Sequence, residues 1–173
     1  MGISHKTVKN EFPNMKRQME VLDGKGVEVG VIRGEHKWLA PIHEYGLDIQ
    51  VTPKMRVYLH RMGLHLKEST THIHIPERSF LRTGYDQNKD AVLKKARLMM
   101  ADVTSGKMSA DTLFEAVGME LADAIRDYAV ELDSPPNHPY TVEQKGSSNP
   151  LIGGGPGGGG EMIREGIHWR KSE

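Results

Sequence analysis

The chain of 173 residues contains no cysteine. Disulfides, thiol catalysis and cysteine-type zinc sites are thereby excluded. Net charge is also absent, since 23 Lys and Arg balance 23 Asp and Glu. Nothing in that balance argues for broad attraction to DNA or to an anionic membrane. No apolar run approaches the roughly 20 residues needed to cross a bilayer. The opening Met1-Gly2-Ile3-Ser4-His5-Lys6 lacks the apolar core of a signal peptide, and Lys6 stands where a myristoylation signal needs Ser or Thr. The expected place of synthesis and use is a cytoplasm. Apolar residues are scarce as well, at 37% with a mean hydropathy of −0.53, which predicts a modest core with ordered appendages. One domain is expected at this length.

Catalytic signatures are missing too. His43-Glu44 invites a metalloprotease reading, but HExxH needs a second histidine where Leu47 stands. The run Gly153 to Gly160 is glycine apart from Pro156. A phosphate-binding loop would continue into Lys and Ser or Thr at a helix start, and this run does not. No serine carries a nucleophile-elbow motif. No enzyme activity, cofactor or metal is expected. The glycine run reads as a flexible loop, because glycine loses the most backbone entropy on ordering.

What is present is hydrophobic periodicity. Val8, Phe12, Met15, Met19 and Leu22 recur at helical spacing, with Pro13 in the first turn, and predict a helix packed on a sheet. Val27, Val29 and Val31 alternate as in a strand. Leu39, Ile42 and Tyr45 form the inward face of a short helical turn. Residues 49–75 read as strands forming a β-hairpin arm, with Val57 and Leu59 alternating with Arg56, Tyr58 and His60. Such an arm is marginal alone in water and needs a neighbour to pack on. Two long helices follow. The first, from about Gln87 to Val103, carries Val92, Ala96, Met99, Met100 and Val103 on one face. The second, from about Ala110 to Leu132, carries Leu113, Val117, Leu121, Ile125, Tyr128 and Leu132, with Ser109 as N-cap. Ser134-Pro135-Pro136 ends it. Glu165 to Arg170 reads as a last strand, with Ile167 and Trp169 on one face.

The segment Ile73 to Asn88 joins the sheet to the helical half. Its strand, with Ile73 and Ile75 opposite His72 and His74, stops at Pro76. Thr83-Gly84-Tyr85 reads as a turn and Asp86 as an N-cap. Between them, Arg78 and Arg82 flank Phe80 and Leu81. In one reading Phe80 and Leu81 plug the base of the sheet while the arginines cap carbonyls. In the other, these residues anchor a protein interface, where aromatic and Arg side chains are enriched. His60, His65, His72 and His74 cluster in the arm. The pair His72 and His74 could ligate a metal, but no third ligand or supporting shell is legible, so solvated or interface histidines are the expectation. Interface candidates are therefore Arg78, Phe80, Leu81, Arg82, Tyr58, His72 and His74.

The run Ile75-Pro76-Glu77-Arg78-Ser79-Phe80-Leu81-Arg82 resembles the IPxRxFLR signature of a tailed-bacteriophage virion-morphogenesis family, the neck or tail-completion proteins of the head–tail junction. Val29-Gly30-Val31 followed by Ile42-His43-Glu44-Tyr45-Gly46 is similar to the family's VGV and (N/H)E(F/Y)G segment. Pro136-Asn137-His138-Pro139-Tyr140-Thr141 resembles PNxPxT, and Lys145 to Ile152 resembles KGSxxPLI. These segments fall in the family's order across roughly residues 27–170. The family's DTGxLxxSI does not follow; the glycine run replaces its first part, and Glu161 to Ile167 looks like the remainder.

The resemblance implies an α+β fold: a small, mostly antiparallel sheet with the protruding arm, packed against two long helices and an N-terminal helix. Residues 1–152 would form one domain, 153–160 the loop, and 161–173 a C-terminal strand returning to the sheet. It implies a non-enzymatic structural protein of a virion assembled in the host cytoplasm. Its partners would be copies of itself in a ring and other neck, connector or tail proteins, with no membrane and no specific nucleic-acid binding. The competing expectation is an assembly chaperone, or a nucleic-acid-binding protein of a mobile element.

Overall fold

The computed structural model describes residues 12–34, 37–151 and 159–172. Val8 and most of the glycine run lie outside them. The class is α+β. The elements are α1 (Phe12–Leu22), β1 (Val27–Val31), α2 (Leu39–Tyr45), β2 (Leu47–Gln50), α3 (Pro53–Arg61) and β3 (His72–Ile75), then α4 (Phe80–Thr104), α5 (Ala110–Glu131), α6 (Pro139–Lys145), α7 (Gly159–Gly166) and β4 (Ile167–Lys171).

Helices α4 and α5 form a long antiparallel hairpin, and their predicted apolar stripes face each other. Val92, Val103, Leu113, Leu121, Ile125 and Leu132 are buried. At Gly84 the two helices come so close that a Cβ would sit 3.3 Å from the Ile125 Cα. Gly84 therefore lies inside α4 as a point of close approach, and the expected turn there does not exist. Asp86, read as an N-cap, is an exposed helical residue whose carboxylate meets Lys89 at 2.6 Å.

The strands form two separate antiparallel pairs. β1 pairs with β4, with Val27 opposite Lys171 and Val31 opposite Ile167. This ribbon packs on α5. Trp169 lies over Gly118, where an added Cβ would run into the indole. Phe80, Ile125, Leu151, Ile163 and Ile167 are completely buried in the main core. A second cluster of Val103, Ala110 and Leu113 sits at the turn between α4 and α5. There Val21 and Leu22 of α1 pack, and Gln18 accepts a hydrogen bond from the Ala110 amide at 2.8 Å. So α1 covers a helical turn and not a sheet, and its Phe12 and Met19 remain largely exposed.

Three further expectations are corrected. Residues 53–61 are helical, and 64–67 form no strand. Thr52 caps α3 through its hydroxyl, which accepts from the Met55 amide, and Pro53 takes the first turn, where its missing N–H costs nothing. The segment 49–75 is thus a strand, a helix and a returning strand, with Leu47 opposite Ile75 and Gln50 opposite His72. In α2 Leu39 packs against the core as expected, but the fully buried residues are Ala40 and Glu44, and Tyr45 is 66% exposed. At the C-terminal end, Glu161 to Gly166 are helical, and the strand that returns to β1 begins only at Ile167.

Candidate interaction site

The first turn of α4 begins at Phe80, and its free amide groups need acceptors. Ser79 does not cap them through its own hydroxyl. The buried carboxylate of Glu44, on α2, does so instead. One oxygen accepts from the Leu81 amide at 2.9 Å; the other accepts from the Arg82 amide at 3.1 Å and from the Ser79 hydroxyl at 2.8 Å. A carboxylate here also complements the positive end of the helix dipole.

Arg82 folds back over the same group. Its Nε donates to the Glu44 carboxylate at 2.9 Å, and one terminal nitrogen donates to the Glu44 carbonyl at 3.0 Å and to Glu77 at 2.6 Å. These two carboxylates hold the Arg82 guanidinium above its ordinary pKa, the Glu44 hydrogen bond first. The guanidinium carbon lies 4.8 Å from the Tyr45 ring centroid. Gly46 turns the backbone from α2 into β2 with φ +73°, and a Cβ there would stand 2.8 Å from the Ile75 carbonyl. Only glycine fits that corner.

Arg78 points the other way and is almost sealed from solvent. Its Nε donates to the Pro135 carbonyl at 2.9 Å, and Nη2 donates to the Pro136 carbonyl at 3.1 Å and to the Asn137 side-chain oxygen at 3.4 Å. Asn137 in turn donates to the Asn149 carbonyl at 3.2 Å. Lys145 donates to the carbonyls of Asn149 and Pro150, both at 3.0 Å. Asn149 reaches the Val130 carbonyl at the end of α5 and accepts from the Leu151 amide.

His43 lies half-buried beside this network, its carbonyl accepting from the Arg78 amide. Burial, with the charges of Arg78 and Lys145, lowers its pKa to about 4, so the imidazole is neutral near pH 7. Its Nδ1 is buried and has no hydrogen-bond partner. Burial also holds Arg78 and Lys145 below their ordinary pKa values, and the nearby Arg78 charge lowers Lys145 further.

The predicted site residues separate into two groups. Phe80 is completely buried and Arg78 is 5% exposed, so both belong to the fold; the reading in which Phe80 is core and the arginines reach carbonyls describes them. Leu81 packs against the main core. At the surface stand Arg82, Tyr58, His72 and His74. Tyr58 is 60% exposed on α3, next to Val57 and near Met62, which are also open. His72 and His74 share the outer face of β3, as the alternation predicts; His74 meets Asp48 at 2.8 Å and His72 meets the Thr71 hydroxyl at 3.1 Å. The other histidines of the arm, His60 and His65, contact each other through their Nδ1 atoms at 2.7 Å. Among the described residues, no group of three or more His, Asp or Glu is placed to hold a metal ion. Among those residues, too, no helix is long and apolar enough to cross a membrane.

Periodicity did not reveal Glu44, His43, Lys145 or Asn149 as parts of one site. The partners of Glu44 are 35 residues or more away and follow no helical or strand spacing. No protein-family model, curated protein or solved structure matches this sequence.

Proposed function

We propose that this protein is a structural component of a tailed-phage virion, acting at the head–tail junction as a neck or tail-completion protein in a ring of identical copies. One observation carries the reading. Four of the phage-like segments, spread from Ile42 to Leu151, meet at one junction, while Val29-Gly30-Val31 lies apart in the β1–β4 ribbon. Glu44 holds the Ser79–Arg82 turn, Arg78 holds Pro135 and Pro136, and Asn137 and Lys145 hold the backbone from Ser148 to Pro150. A motif set that resembles one family and closes into one network is what an inherited architecture requires. Chance matches would have no reason to touch.

Ring assembly needs heterologous contacts, in which one patch meets a different patch on the next copy. The outer face of α3 suits one side of such a contact. Val57, Tyr58 and Met62 are each about half exposed or more. Aromatic side chains contribute most to interface energy when a partner desolvates them.

The test is electron microscopy of lysates from a phage or prophage lacking this gene. Filled heads lying apart from finished tails are expected. Normal joined particles would overturn the neck reading. The protein should also be found in purified virions; its absence there, with unjoined heads and tails, would favour the assembly-chaperone alternative.

A further inference from the structure

A cleft of about 360 Å³ opens beside the junction, between the segment that runs into β3 and the start of α6. Leu64, Leu66 and Ile73 give it an apolar wall, and His43, Arg78 and Tyr140 contribute polar groups. Arg56 fixes the wall by donating to the Leu66, Lys67 and Thr70 carbonyls at 3.3, 2.8 and 2.6 Å. Tyr140 fixes the α6 side through its hydroxyl, which donates to the Met62 carbonyl at 2.8 Å. The cleft is therefore shaped before anything enters it.

Its charge is unbalanced. Arg78 lines it and bonds only to the Pro135 and Pro136 carbonyls and the Asn137 side chain; Lys145, half-buried and outside the lining, bonds only to the Asn149 and Pro150 carbonyls, and neither forms an ion pair with a carboxylate of the described residues. Carbonyls orient a cation but do not neutralise it, and a buried charge without a counter-charge is costly. Glu44, the nearest buried acid in sequence to His43, is committed to α4 and Arg82. Arg78 keeps Nη1 without a hydrogen bond, and His43 keeps Nδ1 without one.

We infer that this cleft binds a carboxylate carried on an apolar stretch of polypeptide, with the Arg78 guanidinium as its main partner. The apolar wall and the single free guanidinium nitrogen suit a monoanion with aliphatic neighbours. A phosphate, with more charge and more lone pairs to satisfy, would be left short of donors there. The carboxylate has two possible sources, an acidic side group or the free carboxyl end of a polypeptide. The site is a property of the folded protein and does not depend on the assembly reading.

The experiment is a titration of the full-length protein at physiological salt, followed by NMR of the Arg78 Nε–H and the His43 ring. The probes are acetyl-Leu-Glu-Leu-amide, acetyl-Leu-Leu with a free carboxyl terminus, acetyl-Leu-Gln-Leu-amide and inorganic phosphate. Saturable shifts are expected with the first or second probe, and which of the two binds identifies the source. The Gln peptide should bind about tenfold more weakly or worse, the loss of one charge-assisted hydrogen bond. Arg78→Met, checked for folding by circular dichroism, should lose the response. Binding of the Gln peptide as tight as that of whichever acidic probe binds better, tighter binding of phosphate, or no saturable shift with any probe would each overturn the proposal. The peptide comparison uses the unaltered protein and stands even if the variant does not fold.

Discussion

The buried carboxylate of Glu44 is the residue on which the junction turns. It satisfies two backbone amides, a hydroxyl and a guanidinium, all from the first turn of α4 and its N-cap. Glu44→Ala removes the cap and the charge together. The expected loss is about 2 to 4 kcal/mol of unfolding free energy, from a lost helix cap and lost charge-assisted bonds, measured by urea unfolding. His43 predicts a pH dependence. Its folded pKa, about 4, lies below the ordinary value of 6.5, so the unfolded state binds more protons between those values. Stability is therefore full above about pH 6.5, and falls as pH drops towards about 4, by on the order of 2 to 3 kcal/mol for this residue. Urea midpoints for the wild type and for His43→Asn across that window check it. The variant should show a shallower decline below pH 6.5; parallel curves would remove His43 as the cause.

At the scale of elements, glycine marks where backbone and side groups crowd. Trp169 of β4 lies so close on α5 that Gly118 has no room for a methyl group. Gly118→Ala should cost about 1 to 3 kcal/mol through overpacking, and should change Trp169 fluorescence in the native state. Gly46→Ala meets both a left-handed φ of +73° and the Ile75 carbonyl, so it should destabilise more than Gly24→Ala, where φ is +69° but nothing lies within 4 Å. Comparing the two by urea unfolding separates the conformational cost from the steric one. Helix α3 teaches the opposite lesson. Val57 and Leu59 alternate as a strand would, yet the Thr52 cap, the Pro53 first turn and the Arg56 clamp on the following loop stabilise a helix. Two residues of alternation are a weaker signal than a cap with a proline behind it.

For the whole molecule, the α4–α5 hairpin is the spine. The β1–β4 ribbon lies on α5, α1 covers one end of the hairpin, and the motif junction closes the other. Surface and fold are then separable by mutation. Tyr58→Asp, on the exposed face of α3, should leave unfolding free energy within about 0.5 kcal/mol of the wild type, as surface changes usually do. On the proposed assembly reading it should also give separated heads and tails when the variant gene replaces the natural one. Joined, infectious particles would show that α3 is not the contact. Balanced charge predicts that any DNA binding will lack a steep salt dependence; a steep slope would mean phosphate contacts and favour the nucleic-acid alternative.

The sequence by itself determined the long helices α4 and α5, their buried stripes, and the strand character of 27–31, 72–75 and the residues from Ile167. Each rests on local periodicity, which is present whatever surrounds the segment. Tertiary structure decided the rest. The start of α4 depends on an acceptor 35 residues or more away in sequence, so no N-cap pattern near Ser79 could place it. The chemistry of Phe80 and Arg78 suits core and interface equally. Their role follows from where α5 and the Pro135–Pro136 turn lie, because burial is a property of the packed molecule and not of the residue. The neutral His43 and the unpaired Arg78 and Lys145 have the same origin: three basic groups far apart in sequence become neighbours only when the fold closes over them.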